Sequence, residues 1–450
     1  MNTAKRLSIA ALSTLLVASS ALGQTVDFKE FKLKNGLRVI LAEDHSAPTY
    51  SISVTYNVGS RDERPGRSGF AHLFEHMMFQ GSENVGKGEH FLTVLNNGGN
   101  MNGTTSQDRT NYYESLPANQ LDVGLFLEAD RMRSLAINQP NLDNQRATVQ
   151  EERRSSYDNQ PYGKVQEAIL DTVYENYAYK HSTIGSMEDL NAATLKDVED
   201  FFRIYYAPNN AVLAMVGDFK TDETLAKIRK YFEAIPSQPA PPVLDMAEPK
   251  QAGERRKTLE DPLAQFPRLD IVYKIPPGNS PDWYALSVAS RILANGQSSR
   301  LYQKLVRGLE VSTNVNAFAQ ERRGPSLFTI ALVLRPGKDP ADVEKLIYEE
   351  IERIKDEPVT DLEMEKIRMS FRRSDVEQLS GTLGRAVRLG QYAVFYNDPG
   401  LINSYGQKFR AVTKEQIQRA VRTYLADENR TVILTVPTPR TAGGASRGAQ

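Results

Sequence analysis

Thr194-Leu195-Lys196-Asp197-Val198, followed by Tyr205, Asn210 and Val212-Leu213-Ala214-Met215-Val216, reads as a helix, a turn and a strand, and the chain repeats it. Thr413-Lys414-Glu415-Gln416-Ile417, then Tyr424, Asn429 and Val432-Ile433-Leu434-Thr435-Val436, has the same layout; Thr194, Tyr205 and Asn210 all match at an offset of 219 residues. Such self-similarity implies an internal duplication. Upstream, alternation in Leu37 to Leu41 and in Ser51 to Val58 predicts strands, and helical patterns run through Asn119 to Leu135 and Leu142 to Tyr157. The Pro-rich run Ile235-Pro236-Ser237-Gln238-Pro239-Ala240-Pro241-Pro242 separates the copies, so a boundary falls near residue 245. At 450 residues the chain is too long for one core. The expected fold is α+β: two homologous α/β-sandwich domains, each a mixed or antiparallel sheet with helices packed on it, joined by a linker and clam-like. The expected division is 24–240 for the first domain, 241–257 for the linker and 258–438 for the second domain. Residues 439–450, rich in Gly, Ala, Ser, Thr and Arg, read as a disordered tail.

Hydrophobic residues make up 40% of the chain and charged ones 25%, ordinary globular composition. A net charge of −1 and no long basic run argue against a nucleic-acid partner. Lys5-Arg6, the apolar Leu7 to Val17, and the small residues Ala21 and Gly23 predict a cleavable signal peptide over 1–23, too short to stay as a membrane span. A periplasmic or secreted location without a membrane span is therefore expected. Cysteine is absent, so there is neither a disulfide framework nor a thiolate ligand, and any metal must be held by His and carboxylate.

Within the first copy, Gly69-Phe70-Ala71-His72-Leu73-Phe74-Glu75-His76-Met77-Met78 carries a His-x-x-Glu-His cluster. Residues four apart on a helix share a face, so His72 and His76 can aim at one ion, with Glu75 beside them. Phe70, Leu73, Phe74, Met77 and Met78 have the spacing of a buried stripe on the opposite side, with Ser68 a candidate N-cap and Gly81 a stop. Zinc takes imidazole and carboxylate, and a catalytic site pairs three protein ligands with water; a carboxylate outside the ligand set can act as base, the role that fits Glu75. This is the inverted form of a zinc-peptidase motif. The alternative is a polar helix face without metal. Setting Tyr56 against Tyr273 places Ala289, Ile292 and Leu293 where His72, Glu75 and His76 stand, so one metal per chain is expected.

The missing ligand is sought on a separate helix. In Leu142 to Arg154, Glu152 shares a face with Val149 and Gln145, whereas Glu151 points about 100° away, so Glu152 is preferred. His45, His90 and His181 are rivals, each a lone histidine in a turn-like setting. Gly98-Gly99 opens a turn into Met101 to Thr105, a short polar strand suited to a sheet edge, where an extended peptide can add as a further strand. An ordinary hairpin strand is the plainer reading.

These pieces together resemble the pitrilysin/insulinase family of zinc peptidases, most closely its short two-domain branch of bacterial enzymes and the mitochondrial processing peptidase. The resemblance rests on His72 to His76, Gly98 to Ser106, Glu152-Arg153-Arg154 with Asp158 to Gly163, and Asn209 to Asp218, and in outline on Ser298-Ser299-Arg300-Leu301-Tyr302. It implies Zn2+ as cofactor, Glu152 as third ligand, and Asn102, Gly103 and Thr104 lining a cleft for peptide substrate. Family members carry an Arg and a Tyr after the Ser-Arg-Leu-Tyr-like run that help hold the substrate carbonyl. Here that segment reads Leu305-Val306-Arg307-Gly308-Leu309-Glu310-Val311-Ser312, with valines near both places. The resemblance thus implies a heterodimer with a related subunit supplying Arg and Tyr, a homodimer being the other possibility. A zinc endopeptidase for unfolded peptides is the expected function. The competing readings are a non-catalytic scaffold or assembly subunit of the same fold, and a small-molecule hydrolase.

Overall fold

The structure is a computed structural model describing residues 25–438. The expected signal peptide at 1–23 and tail at 439–450 lie outside the described residues. In the first half, β1 (Lys29–Lys32), β2 (Arg38–Glu43), β3 (Thr49–Tyr56), β4 (Asn100–Thr105), β5 (Thr110–Pro117) and β6 (Ala211–Gly217) form a sheet in the order β1-β2-β6-β3-β5-β4. In the second, β7 (Arg255–Asp261), β8 (Arg268–Ile275), β9 (Ser312–Ala319), β10 (Ser326–Leu334) and β11 (Arg430–Pro437) follow the order β7-β11-β8-β10-β9. Apart from β1 the two orders coincide. In each, the strand closing the half lies parallel to the first member of the shared set, β6 beside β2 and β11 beside β7, while the other pairs are antiparallel. Arg255 to Lys257, which the sequence places in the linker, open β7 because they pair with Thr431 to Ile433.

The duplicated unit owes its likeness to local chemistry. Thr194 and Thr413 are N-caps, each in a capping box with the residue three further on, Asp197 or Gln416. After each helix an asparagine turns the chain into the strand. Asn210 Nδ2 donates to the Tyr205 carbonyl at 2.8 Å, and Asn429 Nδ2 to that of Tyr424 at 2.7 Å. Both also reach the end of the neighbouring strand, at Asn57 and Lys274.

Seven helices position the site and the halves: α1 (Phe70–Met77), α2 (Gln139–Arg153), α3 (Val165–Val173), α4 (Leu195–Tyr205), α5 (Pro281–Ala294), α6 (Thr382–Tyr396) and α7 (Lys414–Tyr424). One face of each sheet is covered by helices of its own half, α1 and α4 in the first, α5 and α7 in the second. The other face is covered by a helix of the opposite half. Ala386, Leu389 and Ala393 of α6 pack with Ile40, Ala214 and Val216 of the first sheet, and Val165 and Ile169 of α3 with Val272, Leu327 and Ile433 of the second. At Gly390 the approach is so close that a Cβ would stand 2.6 Å from Thr55 Oγ1. An Arg385–Asp44 ion pair and a Thr382–Ser51 hydroxyl contact at 2.8 Å tie the same helix down. The halves therefore share two apolar layers, and burying each is favourable at about 25 cal/mol per Å2 of apolar surface.

Candidate metal centre and its cleft

Helix α1 starts at a glycine for two reasons. Gly69 has φ +85°, and a Cβ there would stand 2.6 Å from the Ile184 carbonyl. Gly69 itself can offer no capping side chain, and Ser68, the cap expected from sequence, turns away: its hydroxyl donates to Asp189 Oδ2. The cap comes instead from Glu63, whose buried carboxylate accepts the N–H groups of Gly69 at 2.9 Å and Ala71 at 2.7 Å. His181, a rival ligand by sequence, stands with Nε2 2.9 Å from the same carboxylate and belongs to this support. Phe70, Leu73, Phe74 and Met77 are buried as the stripe predicts, the Phe74 ring packing tilted against Tyr206 and Phe201. That fixes the other side of the helix towards α2 and β4.

There His72, His76 and Glu152 come together, with one ligand atom from each lying within 4.8 Å of the others. Glu152 Oε1 is 3.7 Å from His72 Nε2, and Oε2 is 3.3 Å from His76 Nε2. A tetrahedral zinc with arms of ~2.1 Å separates its ligand atoms by about 3.4 Å, so the donors stand at ligand spacing. The His72 side chain makes no hydrogen bond among the described residues, and its Nδ1 is buried without a partner. Burial, and then the neighbouring His76, hold the His72 imidazole below its ordinary range, which keeps its lone pair free. The contact with His76 holds the Glu152 carboxyl below the ordinary carboxylate range. Two imidazoles and one carboxylate form a donor set that fits zinc. Glu151 points to solvent and pairs with Arg154 at 3.0 Å. The end of α2 is anchored by Arg153, which donates to Glu167 and to the Gly185 carbonyl, both at 2.6 Å.

Glu75 lies beside these donors, facing β4, and accepts the Thr105 hydroxyl at 2.5 Å. Burial raises its pKa and the Thr105 bond pulls the other way, leaving a carboxylate with enhanced proton affinity. Strand β4 is the edge of the first sheet, as sequence suggested, but its residues divide between two faces. Gly103 faces Glu75, where an added Cβ would stand 3.0 Å from Glu75 Cγ. Asn102 is exposed, and Thr104 accepts from Arg109 Nη1 at both its carbonyl (2.8 Å) and its hydroxyl (2.6 Å). Sequence reasoning missed Thr105, although strand alternation from Gly103 would have placed it on the Glu75 side. It also missed Glu63, for which no local signal exists.

The other rivals lie elsewhere. His45 is on the surface between Asp218 and Glu43. His90 is buried with Glu114 and Glu128, a second group at ligand-like spacing, but both oxygens of Glu128 are taken by Arg131. Among the described residues the second half offers no equivalent of this donor set. Ala289, Ile292 and Leu293 are core residues there, and the side of α5 that faces a cleft carries Ser287, Ser290 and Arg291, with Asn295 just beyond its end. Val306 and Val311 pack against the second core.

Residues 38–187 match the model of the insulinase family, peptidase family M16, and residues 192–371 that of the peptidase M16 inactive domain. The zinc protease PqqE of Helicobacter pylori is 29% identical over 434 residues, covering 96% of this chain and 98% of that protein. A probable mitochondrial-processing peptidase subunit beta of Arabidopsis thaliana is 23% identical, covering 88% of this chain and 76% of that one. Among solved structures, a protease from Helicobacter pylori superposes with a TM-score of 0.87 at 29% identity, covering 92% of this chain and all of that one. The fold of two like halves, one with a zinc-type donor set and one without, and these matches along nearly the whole chain have one common account: the chain belongs to the pitrilysin/insulinase (M16) peptidase family, in its two-domain form.

Proposed function

We propose that this chain is a zinc-dependent endopeptidase that hydrolyses unfolded peptides. The observation that carries the reading is the convergence of His72, His76 and Glu152 beside Glu75, next to the free edge of β4. His72, His76 and Glu152 would hold the ion. Zinc at such a site supplies Lewis acidity and brings the pKa of water towards neutrality. Glu75, kept proton-hungry by burial, takes the proton of the attacking water and returns it to the leaving amine. Thr105 holds that carboxylate in place, and the β4 edge, with Asn102, Gly103 and Thr104, binds the substrate backbone as an added strand.

The apolar setting of Val306 and Val311 supports a division of labour, in which a related subunit contributes the Arg and Tyr that this chain lacks. The name of the Arabidopsis relative, a subunit of a processing peptidase, is in keeping with a heterodimer. The signal-peptide pattern of residues 1–23 supports a periplasmic or secreted location, and among the described residues no helix is long and apolar enough to cross a membrane. The domain limits are proposed with it as 24–240 and, since β7 opens at Arg255, 255–438.

The test is Glu75→Gln. The purified variant and its parent should both hold close to one zinc per chain, and the variant should lose turnover of a quenched fluorescent peptide, assayed alone and with a candidate partner. Turnover at the parent's rate would remove Glu75 from the mechanism, and loss of zinc from the parent on His72→Ala is the matching check on the ligand set.

A further inference from the structure

The second half has a cleft of about 340 Å3 in the position that the metal centre holds in the first. Three of its walls are α5, the edge strand β9 and the Asp361–Leu379 helix, the topological counterparts of α1, β4 and α2, and Arg388 of α6 with Tyr405 and Phe409 completes it. Where the first half brings imidazoles, this cleft brings two arginines, Arg291 and Arg388. Neither makes a salt bridge among the described residues. Arg291 donates one bond, to Ser370 Oγ at 2.7 Å, and lies over the Phe371 ring at 3.8 Å. Arg388 is bound by the neutral groups Tyr392 OH, at 2.8 Å, and Gln378.

The carboxylates of the cleft are already engaged. Asp375 is paired with Arg410, and Glu321 accepts the Tyr396 hydroxyl. Burial pushes the Glu321 carboxyl up, towards its neutral form, and leaves Arg291 below the ordinary arginine range because only Asp375 offsets its desolvation. Half-buried guanidinium groups with free donor positions favour a planar anion that can take two N–H bonds at once. Phe318, exposed on β9, and Trp283 give the same cleft an apolar wall.

From this arrangement we infer that the second-half cleft is a docking site for a peptide carboxylate, held by Arg291 and Arg388 beside the β9 edge. The carboxylate is an acidic side chain or a C-terminus, since both present the same planar group. The site gives the half that lacks metal a role in substrate capture, and it rests on the reading that the substrates are peptides.

The experiment uses the full chain carrying Glu75→Gln, loaded with zinc, and one fluorescein-labelled peptide in four forms: with Glu or with Gln at an internal position, each as the C-terminal acid or amide. The acidic forms should bind about tenfold more tightly than the fully neutral one, with the ratio falling as salt is raised. Loss of the preference on Glu to Gln assigns it to a side chain, and loss on amidation assigns it to the C-terminus. Adding Arg291→Gln and Arg388→Gln should bring the ratio to one with zinc content unchanged. The ratio compares two peptides on one protein sample, so partial unfolding does not mimic its loss, and Arg388→Gln alone provides a milder variant. Equal affinities for all four forms in the parent, or a preference that survives the double substitution, would overturn the inference. Peptide cleavage by the wild type without any acid preference sinks the docking site alone; an acid preference in a chain that cleaves no peptide sinks the proposed function alone.

Discussion

Replacing Glu63 by glutamine tests whether the metal helix is held by a remote cap. The Glu63 carboxylate accepts from Gly69 N, Ala71 N and the His181 ring, all between 2.7 and 2.9 Å, at the start of a helix with no capping side chain of its own. An amide has one acceptor oxygen, so it can keep one of the two helix N–H groups and must turn its NH2 towards the other or towards His181. Hydrogen bonds to charged groups contribute about 1.5–3 kcal/mol each, so losing one and weakening a second should cost about 3 kcal/mol. For a half of this size that lowers Tm by roughly 6–12 °C. Because Ala71 directly precedes His72, fraying there should also weaken zinc binding, by about tenfold if it acts as an outer support of the ligands does. Thermal melts in excess chelator give the stability term, and competition with a zinc chelator gives the affinity. Ser68→Ala is the control: it removes the hydroxyl's bond to Asp189 and the one it accepts from Ser186 N but leaves both capping bonds, so it should cost about 2 kcal/mol and leave zinc affinity unchanged. If Glu63→Gln melts with the wild type, or if Ser68→Ala is the more damaging change, the cap has been assigned to the wrong residue.

Two further outcomes follow from contacts of the first half. Gly103→Val should retain zinc yet lower kcat by about tenfold or more, because its side chain displaces Glu75 from the substrate strand; unchanged kcat would show that the base has room to spare. In the buried group behind β4, burial pushes Glu114 up to about 7 and holds His90 down to about 3. The folded state thus takes up more protons than the unfolded at Glu114 between pH 7 and 4.5, which stabilises it as pH falls, and fewer at His90 below 6.5, which destabilises it as pH falls. Wild type has these opposed, whereas Glu114→Gln keeps only the His90 loss. Its stability relative to wild type should therefore decline on acidification from pH 7 to 5, by up to about 1.4 kcal/mol per unit in urea unfolding, and parallel pH profiles would refute the assignment.

The features legible in sequence are those whose causes are local. Thr194 with Asp197 and Thr413 with Gln416 cap helices three residues away, and Asn210 and Asn429 close turns five residues back, so the duplicated unit announces itself. Likewise the four-residue step from His72 to His76 follows from helix geometry, and the Phe70 to Met77 stripe says which side is core. Face-sharing with Val149 was enough to prefer Glu152 to Glu151, but only folding could set it 3.3 Å from His76. Glu63 and Thr105 were illegible because each acts on α1 through space, from a loop and from a strand edge. The exchange of α3 and α6 between the sheets was hidden for the same reason. Periodicity marks Leu389 and Ile169 as needing burial but does not name the surface they will meet, and a sheet of the opposite half satisfies them as well as their own. Apolar burial carries no address; the tertiary structure supplied it, and with it the junction that sets the half with the His72, His76 and Glu152 donor set against the half without one.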